Sequence, residues 1–205
     1  MKISALKNLV DKRILYTYSN YVLFVLTSLF VTVYVMSYDN TYEKSAWLLL
    51  LSFSTFLNYA DIGFSPVLQR FFSYEISNKN SSLEKSNKLF FFTEYLYLFI
   101  SLILILLLVL SYFYSYSNLV KVDSSLFILF IIHSIGLIIN FYGRKYVNAL
   151  IGLGYIYEVN YKNTIINTFK LLSVTFLIIT NSGLLIIIIA VQSANIVIVI
   201  TNYFL

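Results

Sequence analysis

Two stretches of this chain carry no charged side chain over lengths that only a membrane requires. None lies between Arg13 and Asp39, and none from Leu171 to Leu205. A hydrocarbon core about 30 Å thick is crossed by roughly 20 apolar residues at 1.5 Å each. Inside lipid every backbone amide needs a partner within its own segment, so such runs fold as helices. Composition points the same way: of 205 residues, 60% are hydrophobic and 11% charged, where soluble domains are about a quarter charged. The expected class is an all-α polytopic membrane protein.

The charge-free runs and turn signals predict six transmembrane helices, at about 14–37, 47–70, 89–111, 125–143, 163–180 and 184–205. As one helix, residues 171–205 would be about 50 Å long, too long for one core. Asn181-Ser182-Gly183 supplies the turn that divides them. Gly152 and Gly154 read as a break between the fourth and fifth spans. The opening "MKISALKNLVDKR" lacks a cleavage site, and the apolar run after it is of full membrane length. It is either a short amphipathic helix on the membrane surface or a basic tail.

The sorting of basic residues gives the orientation. Loops on the N-terminal side carry Lys2, Lys7, Lys12, Arg13, Arg70, Lys79, Lys85, Lys88, Arg144, Lys145 and Lys162; the opposite loops carry only Lys44 and Lys121. That split of 11 to 2, with Lys170 left in a span, accounts for all 14 and puts the N-terminus in the cytoplasm. The net charge of +5 therefore reflects topology rather than nucleic-acid binding. No loop exceeds about 20 residues, leaving no room for a soluble catalytic domain. There is no phosphate-binding G-x-x-x-x-G-K-[ST]. Cysteine is absent, which removes disulfides, thiolate nucleophiles and cysteine metal sites. No catalytic residue, metal site or cofactor is expected. His133 is expected to be a hydrogen-bond partner between helices. Tyr112, Tyr114 and Tyr116, with Tyr16, Tyr18 and Tyr21, suit the two interfaces.

The informative segment is "LNYADIGFSPVLQRFF", residues 57–72. It sets Asp61, Gly63, the only Pro (Pro66) and Arg70 inside an apolar helix. Pro66 cannot donate to the carbonyl of Ile62, so a kink is expected there, with Gly63 and Pro66 as the hinge. Ionisable groups within spans face a bundle interior or a wet cavity. At 1.5 Å per residue, Asp61 lies about 9 Å from the inner edge, Glu94 about 8 Å and Lys170 about 10 Å. Three charges of mixed sign then share one level. The expectation is that Lys170 meets Asp61 or Glu94; the alternative is that Lys170 and Glu94 snorkel separately to the interface. Arg70 is either an anchor at that interface or a contact for an anionic head group.

"KSAWLLLLSFSTFLNYADIGFSPVLQRF" resembles the second-helix signature of polysaccharide (O-antigen and capsule) flippases of the multidrug/oligosaccharidyl-lipid/polysaccharide exporter superfamily. Trp47, Asp61, Gly63 and Arg70 take that signature's places, with Ser45 where a Gly is common. "YGRKYVNALIGLGYIYEVNYKNTIINTFKLL" is similar to the family's passage from its fourth to its fifth helix. The resemblance implies the N-terminal six-helix lobe of a twelve-or-more-helix exporter with a central cationic cavity. It implies ion-coupled flipping of undecaprenyl-pyrophosphate-linked oligosaccharide across the bacterial inner membrane. Arg70, Arg144 and Lys170 become substrate-binding candidates, and Asp61 and Glu94 ion-coupling candidates. The implied partners are the lipid-linked substrate, the bilayer, a C-terminal lobe on a second chain and other polysaccharide-assembly proteins. The ending "TNYFL", without a basic flank, suggests a truncated half. The rivals are a membrane-embedded assembly enzyme such as a polymerase, and a non-transporting fragment.

Overall fold

The computed structural model describes residues 3–37, 41–61, 63–77, 83–119 and 124–205, and the only regular elements among them are helices. They are α1 (Ile3–Met36), α2 (Thr41–Ala60), α3 (Phe64–Ser77), α4 (Leu83–Leu119), α5 (Ser124–Gly152), α6 (Ile156–Ile179) and α7 (Leu184–Tyr203). Length and composition single out four as able to cross a membrane: Lys12–Met36 of α1, Asn87–Leu107 of α4, Ile128–Gly152 of α5 and Leu184–Tyr203 of α7. The second expected span is two helices, of which only Trp47–Leu57 is strongly apolar. The fifth, α6, is diluted by its own amides and lysines.

The helix ends have local causes. After α5, Gly154 takes a left-handed φ of +94°. Its N–H bonds Ile151 O (3.0 Å), and Tyr155 N–H bonds Leu150 O (2.9 Å). This pair of reversed bonds satisfies the last carbonyls of a helix when the residue past the cap is left-handed. The same device ends α6: Asn181 has φ 53°, its N–H bonds Ile178 O, and Ser182 N–H bonds Leu177 O. Asn tolerates that conformation because its short polar side chain bonds locally. Here the side-chain oxygen also accepts from Tyr34 Oη at 2.8 Å, which ties α1 to the α6–α7 turn. Both sequence-expected breaks, at 152–154 and 181–183, are present.

Three expected boundaries change. The helix across 47–70 is interrupted at Asp61–Gly63, where Gly63 has φ +88°, and is not kinked at Pro66. Pro66 sits in the first turn of α3, where the missing N–H has no intrahelical acceptor to lose. The fourth helix runs to Gly152 instead of ending at 143, and the fifth begins at Ile156 instead of 163. The N-terminal segment is continuous with α1 from Ile3. The side chains before Lys12, and those of Tyr112, Tyr114 and Tyr116, lie outside the described residues.

Packing makes α5 the hub. It touches α2, α3, α4, α6 and α7, while α1 packs along α6 and α6 along α7. Two glycines allow α7 to close on α5. A Cβ at Gly136 would overlap the Gln192 side chain, and one at Gly143 would overlap Val199. Small residues at such crossings let helix backbones approach in lipid, where packing rather than hydrophobic exclusion drives association. One apolar cluster, toward the Asn181 end, joins Val31, Val35, Trp47, Leu50, Leu129, Val174, Leu184, Ile187 and Ile188. A second joins Leu57, Leu68, Tyr97, Leu104 and Phe141.

The amides that dilute α6 are spent on its neighbours. Asn160 donates to Thr17 Oγ1 at 2.8 Å, Asn167 to Asn20, and Thr164 to Tyr16 O at 3.2 Å. Asn202 of α7 donates to Asn163 at 3.2 Å. Polar side chains join helices this way when water is absent.

Candidate functional site

The break at Asp61–Gly63 brings the second-helix carboxylate against three helices. Asp61 closes α2, so its side chain reaches the first turn of α3, where Ser65 Oγ donates to Oδ2 at 2.7 Å. That is also where a helix N-terminus favours a negative charge. Tyr97 of α4 donates to Oδ1 at 3.0 Å. Arg144 of α5 donates to Oδ2 at 2.9 Å, forming an ion pair in which the Asp61 side chain is 9% exposed and that of Arg144 28%. Asn148, one turn beyond Arg144, donates to both Ser65 Oγ and Tyr97 Oη at 2.8 Å. Gln69 donates to Asn148 Oδ1 at 2.9 Å, and Ser73 to Gly152 O at 2.9 Å. Ser65 and Gln69 thus meet Asn148, Ser73 meets Gly152, and Ser65 and Arg144 share Asp61 Oδ2; the two rows, 65/69/73 and 144/148/152, both run at i, i+4, i+8. Residues four apart share a helix face, so the rows zip α3 to α5.

A second pair lies beside the first. Lys145 Nζ is 2.7 Å from Glu94 Oε1, with the lysine side chain fully buried and the glutamate 32% exposed. Tyr142 donates to the same Oε1 at 2.9 Å. The ammonium also lies over the rings of Tyr142 and Tyr146, at 3.8 and 4.8 Å from their centroids. Neighbours on a helix point about 100° apart. Arg144 therefore serves α2 and α3, while Lys145 serves α4.

This arrangement overturns the expected partner of Lys170. Asp61 pairs with Arg144 and Glu94 with Lys145; Lys170 donates to Asn195 Oδ1 of α7 at 3.3 Å and lies 5.7 Å from the Phe24 ring centroid. The reason is register. Starting α6 seven residues earlier moves Lys170 about 10 Å further from that end of the bundle, to the level of His133. It neither snorkels, being buried, nor meets a carboxylate among the described residues. His133 hydrogen-bonds between helices, with Nδ1 2.8 Å from Gln192 Nε2 and Nε2 3.5 Å from Ser54 Oγ.

Of the residues singled out by sequence, Asp61, Glu94 and Arg144 come together in this layer, and Lys170 stands apart. Arg70 is exposed on α3 and takes no part in these bonds. Gly63 forms the break and Pro66 the turn after it. Sequence reasoning missed Lys145, Tyr97, Tyr142 and Asn148. Lys145 is a loop residue only if the fourth span ends at 143; with Arg144 and Lys145 inside α5, the basic split of 11 to 2 becomes 9 to 2. The matching i, i+4, i+8 polar rows were the legible signal for Asn148. No protein-family model matches this chain, and no curated protein or solved structure matches it either.

Proposed function

We propose that this chain is a six-helix membrane lobe that flips undecaprenyl-pyrophosphate-linked oligosaccharide to the outer leaflet of the bacterial inner membrane. In this reading α2 with α3, and α6, complete six spans, and the N-terminus is cytoplasmic. The observation that carries it is the helix broken at Asp61–Gly63, with its carboxylate held at the break by groups from α3, α4 and α5. Broken helices at membrane depth occur where they are buried in protein or line a cavity, and transporters place ion and substrate sites there. Buried ionisable groups within spans mark the same paths.

Arg144 is the partly exposed cation of the layer, so it can be shared. An incoming pyrophosphate is a stronger, bidentate acceptor for guanidinium and competes with Asp61. Asp61, once released, keeps Ser65 and Tyr97 as donors or takes a proton, which links substrate arrival to ion movement. Arg70, exposed on α3, offers the phosphate a first contact. Lys145 and Glu94 hold α4 to α5 while α3 moves about Gly63. A second lobe on another chain closes the path on its other side.

The test uses the native gene in its host. Asp61→Asn and Arg144→Ala should each lower surface polysaccharide at least tenfold at equal membrane abundance. Proteoliposomes of the native protein should move a fluorescent undecaprenyl-pyrophosphate oligosaccharide between leaflets, and those of either variant should do so at least tenfold more slowly. Undiminished surface polysaccharide in both variants overturns the proposal.

A further inference from the structure

One line of hydrogen bonds runs from α6 through α7 and α5 to α2. Lys170 Nζ donates to Asn195 Oδ1 (3.3 Å), and Asn195 Nδ2 donates to Gln192 Oε1 (3.3 Å). Gln192 Nε2 meets His133 Nδ1 (2.8 Å), and His133 Nε2 meets Ser54 Oγ (3.5 Å). Ser54 in turn donates to Leu50 O at 3.0 Å. Lys170, Gln192 and His133 are all buried. The direction of the line follows from chemistry. An ammonium has no acceptor, so it takes the amide oxygen of Asn195; each amide then presents its NH2 to the next oxygen or ring nitrogen. An amide NH2 can only donate, so His133 Nδ1 must be the bare nitrogen and Nε2 must carry the proton. Ser54, whose own proton goes to Leu50 O, is free to accept it.

We propose that Lys170 and His133 form one proton-binding unit, bridged by Asn195 and Gln192, that holds a single added proton on one end or the other. With Lys170 charged, the amides point as found and the imidazole is neutral. With His133 charged, both ring nitrogens donate. Gln192 must then turn its oxygen to Nδ1 and its NH2 to Asn195 Oδ1, and Asn195 its NH2 to an uncharged Lys170. No bond within an amide changes: one proton leaves Lys170 Nζ for water, and another enters at His133 Nδ1 from water. Charging both ends sets the two amide NH2 groups against each other with no acceptor between them. A mismatch of that kind between buried groups shifts an equilibrium on the order of tenfold.

Among the described residues, no other ionisable side chain is hydrogen-bonded to either group. Around His133, α2 brings Ser54 and the Trp47 ring, centroid to centroid 6.0 Å, and α7 brings Gln192. Around Lys170, α1 brings the Phe24 ring and α7 Asn195. The charged groups Asp61, Glu94, Arg144 and Lys145 are engaged with one another. The unit moves one charge from α6 to α5 whatever the protein carries, so it stands apart from the flippase reading.

The chain has one His and one Trp, so each reports alone. In 15N-histidine-labelled protein in lipid nanodiscs, the neutral imidazole should carry its proton on Nε2; a proton on Nδ1 overturns the proposal without any variant. In Lys170→Met and Lys170→Gln, the ratio of charged to neutral imidazole at fixed pH should rise on the order of tenfold. In Lys170→Arg, whose guanidinium cannot give up its proton, the ratio should not rise above that of the native chain. Trp47 fluorescence, quenched when the adjacent ring is charged, should follow the same titration. With Gln192→Leu in place, changing Lys170 should no longer move His133. An unchanged His133 titration in Lys170→Met or Lys170→Gln overturns the proposal, as does an equal Lys170 effect in the Gln192→Leu background.

Discussion

The Asp61–Arg144 pair makes a quantitative claim. Arg144→Met removes the guanidinium and leaves Asp61 with the donors Ser65 and Tyr97. Breaking a fully buried pair costs about 3–5 kcal/mol, because one charge is left without compensation. The Arg144 side chain is 28% exposed, so water or head groups reach that side and the expected cost falls to about 2–3 kcal/mol. Asp61→Asn keeps an oxygen for one of Ser65 and Tyr97, which bond different carboxylate oxygens, and strands the more exposed partner, for about 1–2 kcal/mol. The double variant leaves no stranded charge. Its cost should be lower than the sum by about 1–2 kcal/mol. Reversible unfolding in mixed micelles, followed by circular dichroism, supplies the four free energies. Additivity within about 0.5 kcal/mol would show that the two charges do not stabilise one another, and the geometry argument would fail.

The second pair should be asymmetric in the other sense. Lys145 is fully buried and Glu94 is 32% exposed, so Glu94→Ala, which strands the ammonium, should destabilise by about 3 kcal/mol. Lys145→Met, which strands the exposed carboxylate, should cost about 1 kcal/mol in the same unfolding assay; the reverse order would contradict the burial. Gly136→Ala must displace the Gln192 side chain and should cost about 1–3 kcal/mol, visible as a lower thermal aggregation temperature. Gly63→Ala meets nothing within 4 Å but keeps φ +88°, so it should cost about 1–2 kcal/mol from backbone strain alone. Gly63→Asn should recover part of that loss. Because the chain has no cysteine, Tyr155→Cys and Ser182→Cys report topology directly. A membrane-impermeant thiol reagent should reach Tyr155→Cys only from the cytoplasmic face and Ser182→Cys only from the opposite face; labelling of both from one face would sink the proposed orientation.

Much of the candidate site could be read along the chain, and the reason for what could not is geometric. Asp61 and Glu94 stood out because charge is scarce in spans. Their partners did not, since Arg144 and Lys145 look like a loop pair when the fourth helix is stopped at the first basic residue. The helix in fact continues to Gly152 because the left-handed residue that ends it is Gly154. Hydropathy marks where charge begins, whereas backbone conformation decides where a helix stops. The same error of register placed Lys170 level with Asp61. In a continuous helix the ring of Pro66 forces a kink; the break at Gly63 makes it a first-turn residue, where the ring is harmless.

The sequence alone determined the all-helical class, the charge-free spans and both tight turns. Those follow from properties of adjacent residues: hydrophobic transfer, backbone hydrogen bonding and the φ that Gly or Asn can adopt. Tertiary structure alone decided which charge meets which. Arg144 and Lys145 are adjacent in the chain yet face different helices, and Lys170 is joined to His133 only through two amides on α7. Pairing depends on the rotation and rise of every helix at once, and a shift of a few residues in one helix start exchanges one partner for another.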